Sequence, residues 1–139
     1  MNQSNNTQKK QVAPIIVIDD DESILEFFRD VFNEMDLIID TETDGMTGIS
    51  RILEKKYELV FLDVMLRDMN GLKVLKAVKS AYSDIRIIMI SGYLTEEIIE
   101  QALSYGADGY LYKPLSAMDV LSKTIKFINP ETMKKIKLR

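Results

Sequence analysis

The sequence predicts an α/β protein with a doubly wound parallel sheet and helices on both faces. Short apolar runs alternate five times with segments in which apolar residues recur every three or four positions, patterns typical of strands and helices. This order implies parallel strands joined by right-handed crossovers. The middle runs are continuously apolar, as expected for strands covered on both sides. A chain of 139 residues, 46% of them hydrophobic, suits one such domain.

The predicted strands and helices follow one another without an internal repeat. The strands cover residues 15–18, 37–39, 59–62, 85–90 and 109–112. The helical stripes are Ile24, Phe28, Val31 and Met35; Ile49, Ile52 and Leu53; Leu72, Leu75 and Val78; Ile98, Ala102 and Leu103; and Met118, Leu121, Ile125 and Ile128. Thr43 or Asp44, Thr95 and Ser116 are predicted N-caps. Pro130 should stop the last helix.

Two polar ends flank the predicted domain. Residues 1–12 are rich in Asn and Gln and lack apolar periodicity, so we predict a disordered N-terminal tail. The domain itself should span residues 13–128, and residues 129–139 form a basic C-terminal tail or linker.

The composition excludes several functions. The chain has no cysteine and no histidine, which excludes disulfides, thiolate or histidine metal sites, and serine–histidine–aspartate catalysis. A net charge of −4 argues against direct nucleic-acid binding. Apolar runs stay short of a membrane span and Met1–Gln11 is no signal peptide, so we expect a cytoplasmic protein without membrane attachment.

Acidic residues are concentrated in the body of the chain. Both ends are basic, so residues 15–128 carry a formal charge of −9. This distribution fits either an anionic concavity that holds a cation or a solvated acidic surface, and charge leaves both interpretations open.

Polar residues follow four of the predicted strands. Asp19 and Asp20 begin an acidic run after the first strand, Asp63 follows the third, Ser91 the fourth and Lys113 the fifth. In a doubly wound sheet the functional site lies at the carboxyl ends of the strands. If these strands are neighbours, three carboxylates, a hydroxyl and an ammonium group converge in one crevice.

This set of groups suits a divalent cation and a phosphoryl group. Clustered carboxylates repel one another and raise at least one pKa, and a cation relieves the repulsion. Mg²⁺, or Mn²⁺ in its place, fits because it takes only one or two direct carboxylates, keeps several waters and completes its shell with phosphate oxygens. Lys113 and Ser91 can bind other phosphate oxygens, which leaves a carboxylate as the nucleophile.

Each of these residues also has an ordinary structural interpretation. The acidic run can cap a helix, Asp63 can form an Asx turn, and Ser91 can belong to a simple Ser-Gly turn. Lys113 can be a solvated surface lysine, and Tyr110 can be half-buried packing. The functional prediction depends on all of them lying at one edge of the sheet.

Four blocks of sequence resemble the receiver domain of bacterial two-component response regulators. They are IIVIDDDE at 15–22, LVFLDVM at 59–65 with Gly71 eight residues after Asp63, IIMISG at 87–92 and GADGYLYKPL at 106–115. The resemblance covers about residues 13–128 and implies a flavodoxin-like sheet of strand order 2-1-3-4-5.

The resemblance implies roles for individual residues. Asp63 matches the phosphoacceptor, and Asp19 and Asp20 match the acidic pair that, with Asp63 and the backbone carbonyl of Met65, holds Mg²⁺. Ser91 and Lys113 match the residues that contact the phosphoryl group, and Tyr110 matches the aromatic residue that moves inward with Ser91. The bond from Lys113 to Pro114 should be cis.

The resemblance also implies partners. The phosphoryl group would come from a histidine kinase or a histidine phosphotransfer protein. Phosphorylation would change the surface formed by the fourth helix, fifth strand and fifth helix, which could bind a partner or a second copy in a homodimer. Self-phosphorylation and slow self-dephosphorylation would be its only chemistry, so we do not expect an enzyme.

Some positions depart from the common pattern of that family. Arg67 replaces a usual proline, and Asp68 and Asn70 differ from the frequent glycine and aspartate, so we expect a charged, less rigid loop beside the site. Met65 and Tyr93 are bulky where the family tunes water access, so we expect slow loss of the phosphoryl group.

Two other functions compete with this interpretation. The DxDxS pattern at 19–23, followed by Ser91 and Lys113, resembles haloacid-dehalogenase-type phosphatases, in which Asp19 would be the nucleophile. That family needs a further acidic strand end after the lysine, and Asp119 and Glu131 are not at strand ends. A degenerate receiver used only for docking is the other alternative, against which the intact acidic residues argue.

Overall fold

A five-stranded parallel sheet forms the centre of the computed structural model, which describes residues 12–136. Its strands are β1 (Ile15–Ile18), β2 (Ile39–Glu42), β3 (Leu59–Asp63), β4 (Arg86–Ser91) and β5 (Gly109–Tyr112). The order is β2-β1-β3-β4-β5, and every neighbouring pair is parallel. The predicted fold class and strand order are therefore confirmed.

Within residues 12–136, six helices connect or follow the strands. They are α1 (Glu22–Asn33), α2 (Gly45–Glu54), α3 (Gly71–Ala81), α4 (Glu96–Ser104), α5 (Ala117–Phe127) and the short α6 (Pro130–Met133). The side chains of Asp44, Thr95 and Ser116 accept hydrogen bonds from backbone N–H groups in the first turns of α2, α4 and α5. These three residues are the predicted N-caps, with Asp44 chosen over Thr43.

Alternate residues of the strands bury their side chains in two separate cores. Ile16, Val60 and Ile87 face one core, which α2, α3 and α4 cover. Val17 and Phe61 face the other, which α1 and α5 cover. Helices thus lie on both faces, and the polar residues at the strand ends remain at the edge of the sheet between the two layers.

One predicted strand and parts of three predicted helical stripes need correction. Leu53 and Leu103, predicted on the apolar stripes of α2 and α4, are exposed. The second strand begins at Ile39 and runs through Asp40 to Glu42, rather than over 37–39, because it is an edge strand whose half-buried residues can be polar. In α5 the buried positions are Val120 and Thr124, whereas Met118 and Ile125 are 76% and 48% exposed. Burial of Thr124 is tolerated because its hydroxyl donates to the carbonyl oxygen of Val120 at 2.8 Å.

The segment after α5 folds back onto the amino edge of the sheet. Pro130 is the first residue of α6, so α5 does end before it as predicted. Glu58, just before β3, accepts hydrogen bonds from the backbone N–H of Asn129 (3.0 Å) and the hydroxyl of Thr132 (2.6 Å). The described part of the predicted tail at 129–139 therefore contains a short anchored helix, and residues 137–139 lie outside the described residues.

Two further sequence predictions concern the N-terminal end and membranes. Residues 1–11 of the predicted N-terminal tail lie outside the described residues, and Val12 is exposed. Within residues 12–136, every helix is too short or too polar to span a membrane.

Candidate functional site

Three carboxylates meet at the carboxyl edge of the sheet. Asp63 is the last residue of β3, and Asp19 follows β1, which pairs with β3 in parallel so that both strands end side by side. One carboxylate oxygen from each of Asp19, Asp20 and Asp63 lies within 4.8 Å of the others. Asp19 is completely buried and Asp63 is 4% exposed. The structure thus brings together the three acidic residues singled out in the sequence.

Lys113 places its ammonium group between two of these carboxylates. Its Nζ lies 2.7 Å from Asp19 Oδ2 and 3.3 Å from Asp63 Oδ2. The backbone N–H of Lys113 donates to the carbonyl oxygen of Ser91 at 2.9 Å, which extends the pairing of β5 with β4. The Lys113–Pro114 peptide bond is cis, the isomer that the resemblance implies.

The shared ammonium leaves Asp63 in an unfavourable environment for a charged group. Burial and the nearby charge of Asp19 raise the pKa of Asp63 to about 6, against the opposing effect of Lys113. Burial lowers the pKa of Lys113, but its contacts with Asp19 and Asp63 outweigh burial and raise that pKa overall. The site therefore has more negative charge than its own cations balance.

The arrangement fits a small hard cation such as Mg²⁺. Asp19 Oδ2 is buried and has no hydrogen-bond partner among the described residues, although it faces the Lys113 ammonium as an ion pair. Carboxylate oxygens that lie within 4.8 Å of one another are ligands of the kind that Mg²⁺ prefers. Residues Asp19, Asp20 and Asp63 are thus suited to hold such an ion.

The acidic residues after β1 have two roles, in the carboxylate cluster and at the first turn of α1. Asp21 caps α1, since its carboxylate accepts from the backbone N–H of Ser23 at 3.0 Å and from its hydroxyl at 2.7 Å. Glu22 forms an ion pair with Arg29 at 2.7 Å. The helix-capping interpretation is correct for this part of the run, whereas Asp19 and Asp20 belong to the carboxylate cluster.

Ser91 and Tyr110 lie on the strands beside the cluster. Ser91 ends β4 and is buried, and its Oγ accepts a hydrogen bond from the backbone N–H of Tyr93 at 3.0 Å. Tyr110 is 37% exposed on the edge strand β5, where its ring packs edge-on against Tyr112. In this structure Tyr110 therefore occupies an outer position at the edge of the sheet.

The loop between β3 and α3 approaches Asp63 closely. The backbone N–H of Met65 donates to Asp63 Oδ1 at 3.2 Å. A Cβ on Gly71 would overlap the carbonyl oxygen of Asp63, so this close return of the chain requires glycine. This contact explains the spacing of eight residues between Asp63 and Gly71.

The same loop is tied down more firmly than its sequence suggests. Asp68 accepts hydrogen bonds from the backbone N–H groups of Gly45 (2.8 Å) and Met46 (3.0 Å), and Asn70 caps α3. These contacts contradict the expectation that the two residues loosen the loop. Arg67 is exposed, with its Nε 3.8 Å from Asp20 Oδ2. Asp68 connects positions that are more than 20 residues apart in the chain, so no local sequence pattern predicts these hydrogen bonds.

Comparisons with known proteins agree on one family. A family model described as response regulator receiver domain matches residues 15–126. Among curated proteins, the chain is 29% identical over 109 residues to a probable transcriptional regulatory protein, SilR, of Salmonella typhimurium. It is 28% identical over 125 residues to the response regulator ArlR of Staphylococcus aureus. These matches cover 78% and 90% of this chain but 48% and 57% of the relatives, so the chain spans about half their length.

A solved structure supports the same assignment. A CheY-like receiver domain protein from Methanospirillum hungatei superposes with a TM-score of 0.79 at 26% identity, covering 84% of this chain and 93% of that one. The family match argues against the phosphatase with Asp19 as nucleophile. The fold, the acidic edge and these similarities lead to one conclusion: the chain belongs to the receiver domain family of two-component response regulators.

Proposed function

We propose that Asp63 of this receiver domain accepts a phosphoryl group and thereby switches the binding properties of the chain. The observation that carries the proposal is the position of Asp63, buried at the end of β3 beside Asp19, Asp20 and the ammonium of Lys113. Receiver domains are signalling phosphoacceptors that interact with histidine kinases and phosphotransfer proteins. For this chain we therefore propose a phosphohistidine of such a protein as the donor.

The acidic cluster would hold the metal ion that the transfer needs. Receiver domains bind Mg²⁺ at an acidic pocket, and here the carboxylates of Asp19, Asp20 and Asp63 and the backbone carbonyl of Met65 are the proposed ligands. When bound, Mg²⁺ neutralises charge on the transferring phosphoryl oxygens, and Mn²⁺ would serve in its place.

The residues of the chain account for the rest of the transfer. A carboxylate oxygen of Asp63 attacks phosphorus, the phosphorus–nitrogen bond of the donor breaks, and the imidazole keeps the electron pair and takes up a proton. The ammonium group of Lys113 moves toward the phosphoryl oxygens and stabilises their negative charge, and Ser91 donates a hydrogen bond to one of these oxygens. Attack by water on the aspartyl phosphate later releases inorganic phosphate and restores Asp63.

Phosphorylation would change the conformation of the surface formed by α4, β5 and α5. Movement of Ser91 toward the phosphoryl oxygens vacates space that Tyr110 can fill from its present outer position. This shift favours one of two surface conformations and changes the affinity for a partner or for a second copy of the chain. We propose protein partners rather than nucleic acid for this domain, in keeping with its acidic body.

Labelling with a small phosphodonor tests this proposal. Acetyl phosphate with Mg²⁺ should add one phosphoryl group to the wild type, read by intact mass, whereas chelation of Mg²⁺ or the Asp63→Asn substitution should abolish the label. Asp84→Asn is the control, because Asp84 pairs with Lys56 at the protein surface.

The position of the label decides between the alternatives. Reduction of the acyl phosphate with borohydride, followed by peptide mass spectrometry, should locate the modification at Asp63. A label at Asp19 would support the phosphatase interpretation, and an unlabelled wild type would support a domain used only for docking. Either result contradicts the proposal.

A further inference from the structure

Asp68 links the loop after β3 to the first turn of α2. Its Oδ1 accepts from the backbone N–H of Gly45 at 2.8 Å, and its Oδ2 accepts from that of Met46 at 3.0 Å. N–H groups in the first turn of a helix have no partner within the helix, and that end favours negative charge. The two hydrogen bonds hold the pKa of Asp68 below its ordinary value. Asp68 therefore remains a carboxylate that fastens two distant segments together.

The packing around this contact is close and specific. Gly45 is buried, and a Cβ at that position would lie 2.7 Å from Cγ of Met69, the residue after Asp68. The absence of a side chain at position 45 lets the loop approach the helix. Position 45 thus fits against positions 68 and 69, which lie more than 20 residues further along the chain.

The other end of the loop is fixed near the carboxylate cluster. Met65 and Asn70 form an antiparallel bridge, and the side chain of Asn70 accepts from the backbone N–H of Leu72 at 2.8 Å. The backbone N–H of Met65 also donates to Asp63 at 3.2 Å. The short segment between Met65 and Asp68 therefore spans the distance from the site to the α2 terminus.

We propose that Asp68 is a positioning residue for the divalent-ion site. By fastening the loop to the N-terminus of α2, it holds the backbone carbonyl of Met65 where that oxygen can serve as an ion ligand, while Asp68 itself stays outside the ligand set. The inference rests on the proposed function, since Met65 is a proposed ligand there. Groups that orient metal ligands from outside the ligand set commonly change metal affinity severalfold or more.

Three variants separate this role from simple stabilisation of α2. Asp68→Ala removes both hydrogen bonds, and Asp68→Asn keeps an acceptor oxygen while losing the charge. Asp44→Ala is the matched control, because Asp44 caps the same helix end through Thr47 N (2.8 Å) and Thr47 Oγ1 (3.0 Å). Mg²⁺ affinity is measured by isothermal titration calorimetry, stability by thermal unfolding without Mg²⁺, and the contact itself by amide hydrogen exchange.

The proposal predicts different results for the two alanine variants. Asp68→Ala should weaken Mg²⁺ binding by about threefold to tenfold, below the largest effects of such groups because the Asn70 end of the loop remains fixed. Asp68→Asn should lose less Mg²⁺ affinity than Asp68→Ala. Asp44→Ala should keep the wild-type affinity while losing about as much thermal stability as Asp68→Ala. In the metal-free protein, exchange at Gly45 and Met46 should accelerate in Asp68→Ala.

Other outcomes overturn the inference in distinguishable ways. If the wild type binds Mg²⁺ and Asp68→Ala binds it equally well, the proposed function stands and the positioning role is wrong. If Asp44→Ala weakens binding as much as Asp68→Ala, the effect belongs to helix stability, and the inference is also wrong. If the wild type itself binds no Mg²⁺, the metal site of the proposed function fails, and the inference fails with it.

Discussion

Asp108 and Asp63 are similar carboxylates at opposite ends of the sheet, with opposite electrostatic environments. Asp108 precedes β5 at the amino edge and accepts hydrogen bonds from Ile87 N (2.9 Å), Lys79 Nζ (3.0 Å) and Arg86 (3.0 Å). Burial alone would raise the pKa of Asp108, but these bonds outweigh it and lower that pKa. At Asp63, by contrast, burial and Asp19 raise the pKa to about 6.

Burial acts to raise the pKa of both carboxylates, and the difference between them comes from their partners, which include a backbone N–H and two cations at Asp108. The side chains of Asp108 and Asp63 are 12% and 6% exposed, so both are largely removed from water. Asp108 has two cations for one carboxylate, whereas Asp19 and Asp63 share the ammonium of Lys113. The amino edge is thus built for stability, and the carboxyl edge keeps a negative charge that a bound cation can neutralise.

Removal of the Asp108 charge should give the largest change in stability. Asp108→Asn leaves the largely buried Lys79 without its carboxylate, so we expect a loss of about 2–3 kcal/mol in the free energy of unfolding. Urea unfolding measures it. Asp84→Asn breaks an exposed pair with Lys56 and should change the free energy of unfolding far less. Equal losses in the two variants would show that the buried ion pair of Asp108 contributes no more to stability than an exposed one.

The pH dependence of stability should have opposite signs at the two edges. Because the pKa of Asp63 is raised in the folded state, the protonated carboxyl favours folding. Its contribution to the free energy of unfolding is therefore greatest at low pH and is lost as the pH rises through about 6. Between pH 5 and 7.5, metal-free wild type should therefore lose about 1 kcal/mol relative to Asp63→Asn. The pKa of Asp108 is lowered in the folded state, so its ionised form favours folding. Asp108 therefore contributes to the free energy of unfolding above about pH 4, and this contribution is lost in more acidic solution.

Urea unfolding in the presence of a chelator provides this comparison. The wild type and Asp63→Asn should diverge as the pH rises, and saturating Mg²⁺ should cancel the divergence by stabilising the ionised form of Asp63. Parallel pH profiles for the two proteins would contradict this prediction, because they would show that ionisation of Asp63 does not destabilise the folded state.

Most of the fold and the carboxylate cluster could be predicted because they follow from short-range patterns. Continuous apolar strands identified a parallel sheet, and parallel strands end at one edge, which brought Asp19, Asp63 and Lys113 together. The resemblance then supplied the strand order. The predicted edge strand β2 begins two residues too early because its polar residues Asp40 and Glu42 carry no apolar signal.

Contacts between distant segments could not be predicted in the same way. The attachment of Asp68 to Gly45 and Met46 depends on how the loop and α2 meet in space. The burial of Thr124 depends on a hydrogen bond to the preceding turn, which an apolar stripe does not show. In both cases a polar side chain is satisfied by a backbone group, and hydrophobic periodicity does not register such bonds.

The most direct test of the account is a Mg²⁺ titration of wild type, Asp20→Asn and Asp21→Asn by isothermal titration calorimetry. Asp20 belongs to the carboxylate cluster, whereas its neighbour Asp21 caps α1, a role that asparagine also fills. We predict one bound ion in the wild type, at least about tenfold weaker binding in Asp20→Asn, and unchanged binding in Asp21→Asn. Equal affinities in all three proteins, or no binding to the wild type, would contradict the claim that this edge of the sheet is a cation site.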